Sequence, residues 1–163
     1  MAFDAFLKID SIPGESKDSK HKDEIEVFSF SWGESNPATF SSGGGGSTSG
    51  KVSMQDFHFV AATQKSSPSL FIACATGEHI KEATLTLRKA GGEQVEYLKY
   101  KLSDILISSF NIGGAQEGGT SVPTESFSLN FVKIEVEYAE QRADGSLGEP
   151  IRAGYDLALQ KKV

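Results

Sequence analysis

Two runs that alternate large apolar with small polar residues are separated in this chain by a long stretch with almost nothing to bury. The first run is Phe28-Ser-Phe-Ser-Trp-Gly and the second is Lys51-Val-Ser-Met-Gln-Asp-Phe-His-Phe-Val. Alternation of this kind is the period-two signature of β-strands. Between them, Glu34 to Gly50 holds Gly43, Gly44, Gly45 and Gly46 in succession, with Phe40 as its one large apolar side chain. A hairpin needs two to five residues, and a much longer structureless connection is usually functional or disordered. The segment therefore reads as an arm projecting from a β-scaffold. It points to partner binding before it points to chemistry.

Length and charge narrow the field. A chain of 163 residues buries about 70% of its unfolded surface in one core, so a single domain over 1–163 is expected. The formal net charge of −6, with no large Lys/Arg cluster, argues against a nucleic-acid surface. The one cysteine, Cys74, cannot form an intramolecular disulfide, so folding needs no oxidising compartment. Met-Ala-Phe-Asp-Ala-Phe-Leu-Lys-Ile at the start lacks the basic and apolar regions of a secretory signal. No apolar run reaches the length of a membrane span. The expected location is the cytoplasm, with export only by a route that accepts folded cargo.

Glycine pairs punctuate the remainder. Gly91-Gly92, Gly113-Gly114, Gly118-Gly119, and Gly145 with Gly148 delimit segments rich in β-branched and aromatic residues, as tight turns between strands require. The candidate strands are Ala5–Ile9, Ile25–Trp32, Lys51–Val60, Glu82–Lys89, Gln94–Lys101, Ile105–Asn111, Thr124–Tyr138 (either straight or bent by a bulge) and Tyr155–Gln160. Such a series predicts an antiparallel barrel or sandwich. One segment departs from it. Ser67 is placed as an N-cap, Pro68 at the first helical position, and Gly77 where a helix C-terminus takes a left-handed residue. The spacing predicts a helix docking through Leu70, Phe71 and Cys74, and a buried strand is the alternative.

No chemistry-bearing constellation stands out. Cys74 reads as an inert thiol on the helix face rather than a nucleophile. His21 falls in the charged loop Ser16–Glu24 and reads as solvated. His58 alternates with Phe57 and Phe59 and so faces away from them. Three scattered histidines and one cysteine lack metal-ligand spacing, and Gly43 to Gly46 lack the context of a phosphate loop. Asp144-Gly145 reads as a plain turn. No catalytic residue, metal or cofactor is expected, and the chain does not read as an enzyme.

Several segments together resemble the hemolysin-coregulated protein (Hcp) family of bacterial type VI secretion systems. They are Phe6-Leu-Lys-Ile-Asp-Ser-Ile-Pro-Gly-Glu-Ser-Lys-Asp, Ser31-Trp-Gly, Gly50-Lys51, Lys65-Ser-Ser-Pro through Cys74 to His79, Leu87-Arg-Lys-Ala-Gly-Gly-Glu through Val95-Glu-Tyr, Leu129-Asn-Phe and Val136-Glu-Tyr. The resemblance implies a mainly β fold, an antiparallel two-sheet β-barrel with one flanking α-helix and a long extended loop, like that of phage tail-tube proteins. It further implies a homohexameric ring whose copies stack into the inner tube and are themselves exported. The implied partners are spike and sheath proteins, and small effectors carried in the lumen. Neither nucleic acid nor membrane insertion is implied. With the last candidate strand just before Val163, a bare structural subunit is expected.

Two placements follow for that role. The arm, with Glu34, Phe40, Gly43, Gly44, Gly45, Gly46, Gly50 and Lys51, is expected to reach from one ring to the next. In strand Ile25–Trp32, the face with Phe28, Phe30 and Trp32 is expected to enter the core, leaving Ser29 and Ser31 toward either a wet lumen or ordinary solvent. The competing functions are a monomeric β-sandwich binding module and a cryptic hydrolase.

Overall fold

The computed structural model describes residues 2–37, 50–116 and 122–163. In chain order the elements are β1 (Phe3–Ile9), β2 (Ile25–Ser31), β3 (Glu34–Ser35), β4 (Ser53–Met54), β5 (Phe57–Ala62), α1 (Ser67–Thr76), β6 (Ile80–Lys89), β7 (Glu96–Gly113), β8 (Thr124–Tyr138), β9 (Ile151–Asp156) and β10 (Lys161–Lys162). Six strands close antiparallel into a barrel in the order β8-β5-β2-β1-β6-β7, with β7 returning to β8. β9 and β10 extend the sheet outward from β8. β3 and β4 form a separate two-stranded ribbon. This is the expected mainly β barrel with a flanking helix.

Alternation builds the barrel interior. Phe57, Phe59 and Ala61 of β5 are buried, and so are Phe127, Leu129 and Phe131 of β8. Their rings stack in series: Phe57 on Phe59 at 5.0 Å between centroids, and Phe59 on Phe127 at 5.4 Å. Leu7 and Ile9 from β1, Leu85 and Leu87 from β6, and Leu102 and Ile105 from β7 complete the core. Burying a side chain of this size contributes about 1.5–3 kcal/mol relative to leaving it in water. His58, between two buried phenylalanines, is exposed, as the period requires.

β2 corrects the expectation of a uniform aromatic face. Ile25 and Val27 are buried, whereas Phe28 is 60% exposed. A register shift against β5 falls between Val27 and Ser29. The bulge inserts one residue, so the inward parity changes from odd to even. Beyond it Phe30 and Trp32 pack onto the core, each stacked with Phe57. Phe28 sits at the switch and is turned outward.

Other boundaries also differ. The run Lys51–Val60 is two strands, because Gln55 leaves the ladder to donate its backbone N–H to the Gly33 carbonyl. Gln94–Lys101 and Ile105–Asn111 are one long β7, bent at Asp104, whose φ is 54°, rather than broken there. The final candidate, Tyr155–Gln160, is displaced: β9 begins at Ile151, and a turn through residues 157–160 with Gln160 at φ 53° leads into β10.

The helix forms as its caps dictate, one residue earlier than expected. The N-cap is Ser66, not Ser67, and its side chain makes no capping hydrogen bond. Gly77 closes the C-terminus at φ 64°, and its N–H reaches the Ala73 carbonyl, a conformation that costs any residue with a Cβ. Leu70 and Ala73 carry the docking face, and Cys74 is half-buried. Phe71 faces outward. Asp144-Gly145 is the predicted turn, with Gly145 at φ 89°.

Candidate assembly interface

The barrel leaves two unlike sheet edges open. On the β1 side, β2 is paired only through Glu26 and Ile25, opposite Phe6 and Leu7. Beyond the bulge, Ser29, Phe30 and Ser31 pair with β5 alone among the described residues. Ser29 and Ser31, the candidate lumen residues, are both exposed on this half-free strand. On the far side of the sheet, β10 pairs with β9 and has no outer neighbour among the described residues. Leu159 and Val163 flank it, both exposed, and its own residues are Lys161 and Lys162.

Beside the β2 edge lies a groove of about 590 Å³. Phe6, Phe28 and Val122 supply its apolar wall, and Asp4, Glu15, Asp18 and Glu26 outnumber Lys17 and Arg88 on its charged rim. One face of the barrel is thus apolar with acidic margins, and the other edge is apolar with lysines. Isolated exposed apolar residues are common on surfaces. Phe28 differs because it adjoins unpaired backbone, the combination that edge strands normally avoid.

The arm is described only at its base. Phe40 and Gly43, Gly44, Gly45 and Gly46 lie outside the described residues. Glu34 pairs with Met54, while Gly50 packs so closely on Pro37 that an added Cβ would lie 2.4 Å from its carbonyl oxygen. Lys51 is exposed. A cleft of about 720 Å³ opens beneath this base, lined by Trp32, Met54, Tyr100, Ile134 and Tyr155 among others.

A charged cluster fixes the acidic wall, and sequence reasoning missed it. Arg88, 3% exposed, donates through Nη1 and Nη2 to the two carboxylate oxygens of Asp18 at 3.0 and 2.5 Å. Its Nε donates to Asp4 at 3.3 Å, and its guanidinium carbon lies 4.8 Å from the Phe6 ring centre. The hydrogen bonds from Arg88 hold the Asp18 carboxyl down to about 2, and Asp18 in turn raises Arg88. His21 was expected in solvent and is instead buried. Its ring stacks on Phe6 at 4.5 Å and bridges Glu24 and Glu96 at 2.8 Å each. The basic residue of Leu87-Arg-Lys was visible as a motif, but nothing local told that it would be buried.

Glu125 is the other missed group. It is 2% exposed, and neither carboxylate oxygen has a hydrogen-bond partner. Burial raises its pKa, and the nearby Ser67 hydroxyl opposes that rise without reaching hydrogen-bond geometry. Cys74 is a free, half-buried thiol, and no group of three or more potential metal ligands occurs among the described residues. No helix among them is long and apolar enough to cross a membrane.

Comparison with known proteins agrees with this architecture. Residues 6–138 match the sequence model of the family described as type VI secretion system effector, Hcp. The chain is 46% identical to Protein hcp1 of Pseudomonas aeruginosa, over 96% of each sequence. Its structure is similar to that of Hcp1 from Salmonella typhimurium, with a TM-score of 0.84 and 39% identity, covering the whole of both chains. It is also similar to a type six secretion system protein, with a TM-score of 0.94 and 31% identity, over 99% of this chain and 100% of the other. This chain belongs to the Hcp family of type VI secretion proteins.

Proposed function

We propose that the chain is a non-enzymatic building block of the type VI secretion tube, assembling as homohexameric rings that stack around a hollow lumen. The carrying observation is the pair of unlike open edges. A ring needs two different surfaces on each subunit that meet under rotation. The half-paired β2, with Phe28 beside it, and the β9–β10 extension are two such surfaces of one sheet, β2 within the barrel between β5 and β1 and β10 at the sheet's free end. Joining them would continue the sheet from subunit to subunit, cover Phe28, and set the Glu15–Glu26 rim against Lys161 and Lys162.

On this reading Ser29 and Ser31 line the lumen, where small hydroxyls suit a wet channel able to accept small effectors. The arm from Glu34 through Phe40 and Gly43–Gly46 to Gly50 and Lys51 contacts the adjacent ring along the tube axis. Spike and sheath proteins then meet the ends and the outside of the tube. The subunit begins in the cytoplasm and leaves as part of the exported tube.

Native mass measurement with negative-stain microscopy of the purified chain tests the assembly. Hexamers seen as rings are expected. A monomer at every concentration overturns the proposal in favour of a single-subunit binding module.

A further inference from the structure

Segment 14–24 is a closed loop laid against the barrel. Its own backbone ties it together, Gly14 N–H to Asp23 at 2.8 Å and Asp23 N–H to Ser16 at 3.0 Å. Three sets of contacts hold it to the rest of the molecule. Glu15 exchanges hydrogen bonds with Gln64 and the Lys65 backbone, Asp18 takes Arg88, and His21 takes Glu96 of β7 while lying flat on Phe6 of β1.

The His21 contact makes a chemical demand that the other two do not. Its Nδ1 lies 2.8 Å from a Glu24 oxygen, and its Nε2 lies 2.8 Å from a Glu96 oxygen. A neutral imidazole has one N–H and one lone pair, and an ionised carboxylate only accepts. Neutral His21 therefore satisfies one carboxylate and turns a lone pair on the other. Both contacts are attractive only when each ring nitrogen carries a proton.

We propose that His21 is a pH-sensitive latch: as imidazolium it clamps segment 14–24 onto β7, and on losing a proton it releases that segment. The surrounding charges favour the clamped form. Glu24 and Glu96 touch the ring directly, and Asp18 accepts the His21 backbone N–H at 3.2 Å. From β7, Lys99 pairs with Glu96 at 3.0 Å. From β6, Arg88 is engaged by Asp4 and Asp18. Lys20, Lys22 and Asp23 lie on the segment itself. Burial alone would raise the Glu96 carboxyl, but the hydrogen bonds and charges of Lys99 and His21 outweigh it and leave it below its ordinary value. The Lys99 pairing does not depend on His21, so Glu96 remains an acceptor when His21 gives up its proton.

The direction follows. The clamp is complete on the acid side and is lost as pH rises through the ionisation of His21. Residues Glu15 to Asp18 also wall the Phe28 groove, so release loosens one side of that groove. The latch operates within a single subunit, whether or not subunits assemble.

Hydrogen exchange of backbone amides 14–24, corrected for intrinsic rates, tests it between about pH 5.5 and about pH 8.5. In the wild type, protection is expected to fall about tenfold as pH rises, the scale of one lost hydrogen bond to a charged group. His21→Gln should abolish the pH dependence. Glu96→Gln should weaken it, because a carboxamide can donate to a neutral ring. Ring ¹⁵N shifts should show a proton on both His21 nitrogens while the segment is protected, with the exposed His58 and His79 as references. Protection that does not change with pH in the wild type overturns the latch. So does an unchanged dependence in either variant, or a singly protonated His21 under a fully protected segment. Where His21→Gln does not fold, Glu96→Gln and the ring shifts carry the test.

Discussion

Arg88 and Asp18, seventy residues apart in the chain, meet through two parallel hydrogen bonds from one guanidinium edge to one carboxylate. This fork-to-fork geometry is the strongest form of the contact, because both donors and both acceptors are satisfied in one plane. The asymmetry of burial decides what it does. Arg88 is enclosed, whereas the Asp18 and Asp4 side chains reach partly to water. The two acids thus let a guanidinium sit against Phe6 without an unpaired charge.

Removing the arginine should be costly. Arg88→Met is expected to destabilise the fold by about 3 kcal/mol, at the lower end of what breaking a buried pair costs, because the two aspartates can rehydrate. Urea unfolding of the isolated chain measures this. An unchanged midpoint would mean that the pair adds no net stability.

Acid titration separates Asp18 from Glu125, because their signs oppose. The folded Asp18 carboxyl ionises near 2, below its ordinary 3.8. Its stabilising contribution is complete above about pH 4 and is lost as pH falls toward about 2. Asp18→Asn should therefore be less stable than wild type at neutral pH and lose less stability over that acid window.

Glu125 works in reverse. Burial raises its pKa in the folded state, so the protonated form is favoured and a cost appears as pH rises past the ordinary carboxyl range. Glu125→Gln is expected to gain stability at pH 7, with the gain vanishing toward pH 4. Stability curves for the two proteins that run parallel across that range would contradict this account.

How much of this was legible depends on the distance over which each cause acts. The α1 C-terminus could be read at Gly77, because a left-handed cap is a property of one residue. Thr124–Tyr138 could be read whole, because no turn residue falls within it, although its apolar parity switches from odd at Phe127, Leu129 and Phe131 to even at Ile134 and Val136. The β2 bulge could not: Phe28, Phe30 and Trp32 obey one parity in the sequence, and only pairing with β5 introduces the extra residue. β7 looked broken at Asp104, because nothing local distinguishes a bend at positive φ from a turn. His21 and Arg88 look like surface residues until the acids that partner them arrive from elsewhere in the chain.

The bulge itself can be tested. Phe28→Ser should change the unfolding free energy by no more than about 0.5 kcal/mol, as for an exposed site. Phe30→Ser, two positions along, should cost about 2 kcal/mol, because its half-buried ring packs on Phe57. Sedimentation of the folded Phe28→Ser protein should also show weaker self-association than wild type. Equal costs at the two positions would place both rings on one face and remove the parity switch.

Stacking is expected to depend on the arm independently of ring closure. Its base is anchored, through the Glu34–Met54 pairing and the close approach of Gly50 to Pro37, so whatever lies beyond is delivered from a fixed point on the barrel. Ordering a glycine-rich segment costs roughly 1–2 kcal/mol per residue in backbone entropy, which makes a single inter-ring contact weak. Six copies around a ring can offset that cost, since each contact after the first is effectively intramolecular. Replacing residues 41–50 with a short turn should leave hexamers intact, as read by native mass, while abolishing tubes under the microscope and export from cells. Rings that still stack and leave the cell at the parental level would reduce the arm to a tolerated insertion and move the stacking contact to the barrel rims.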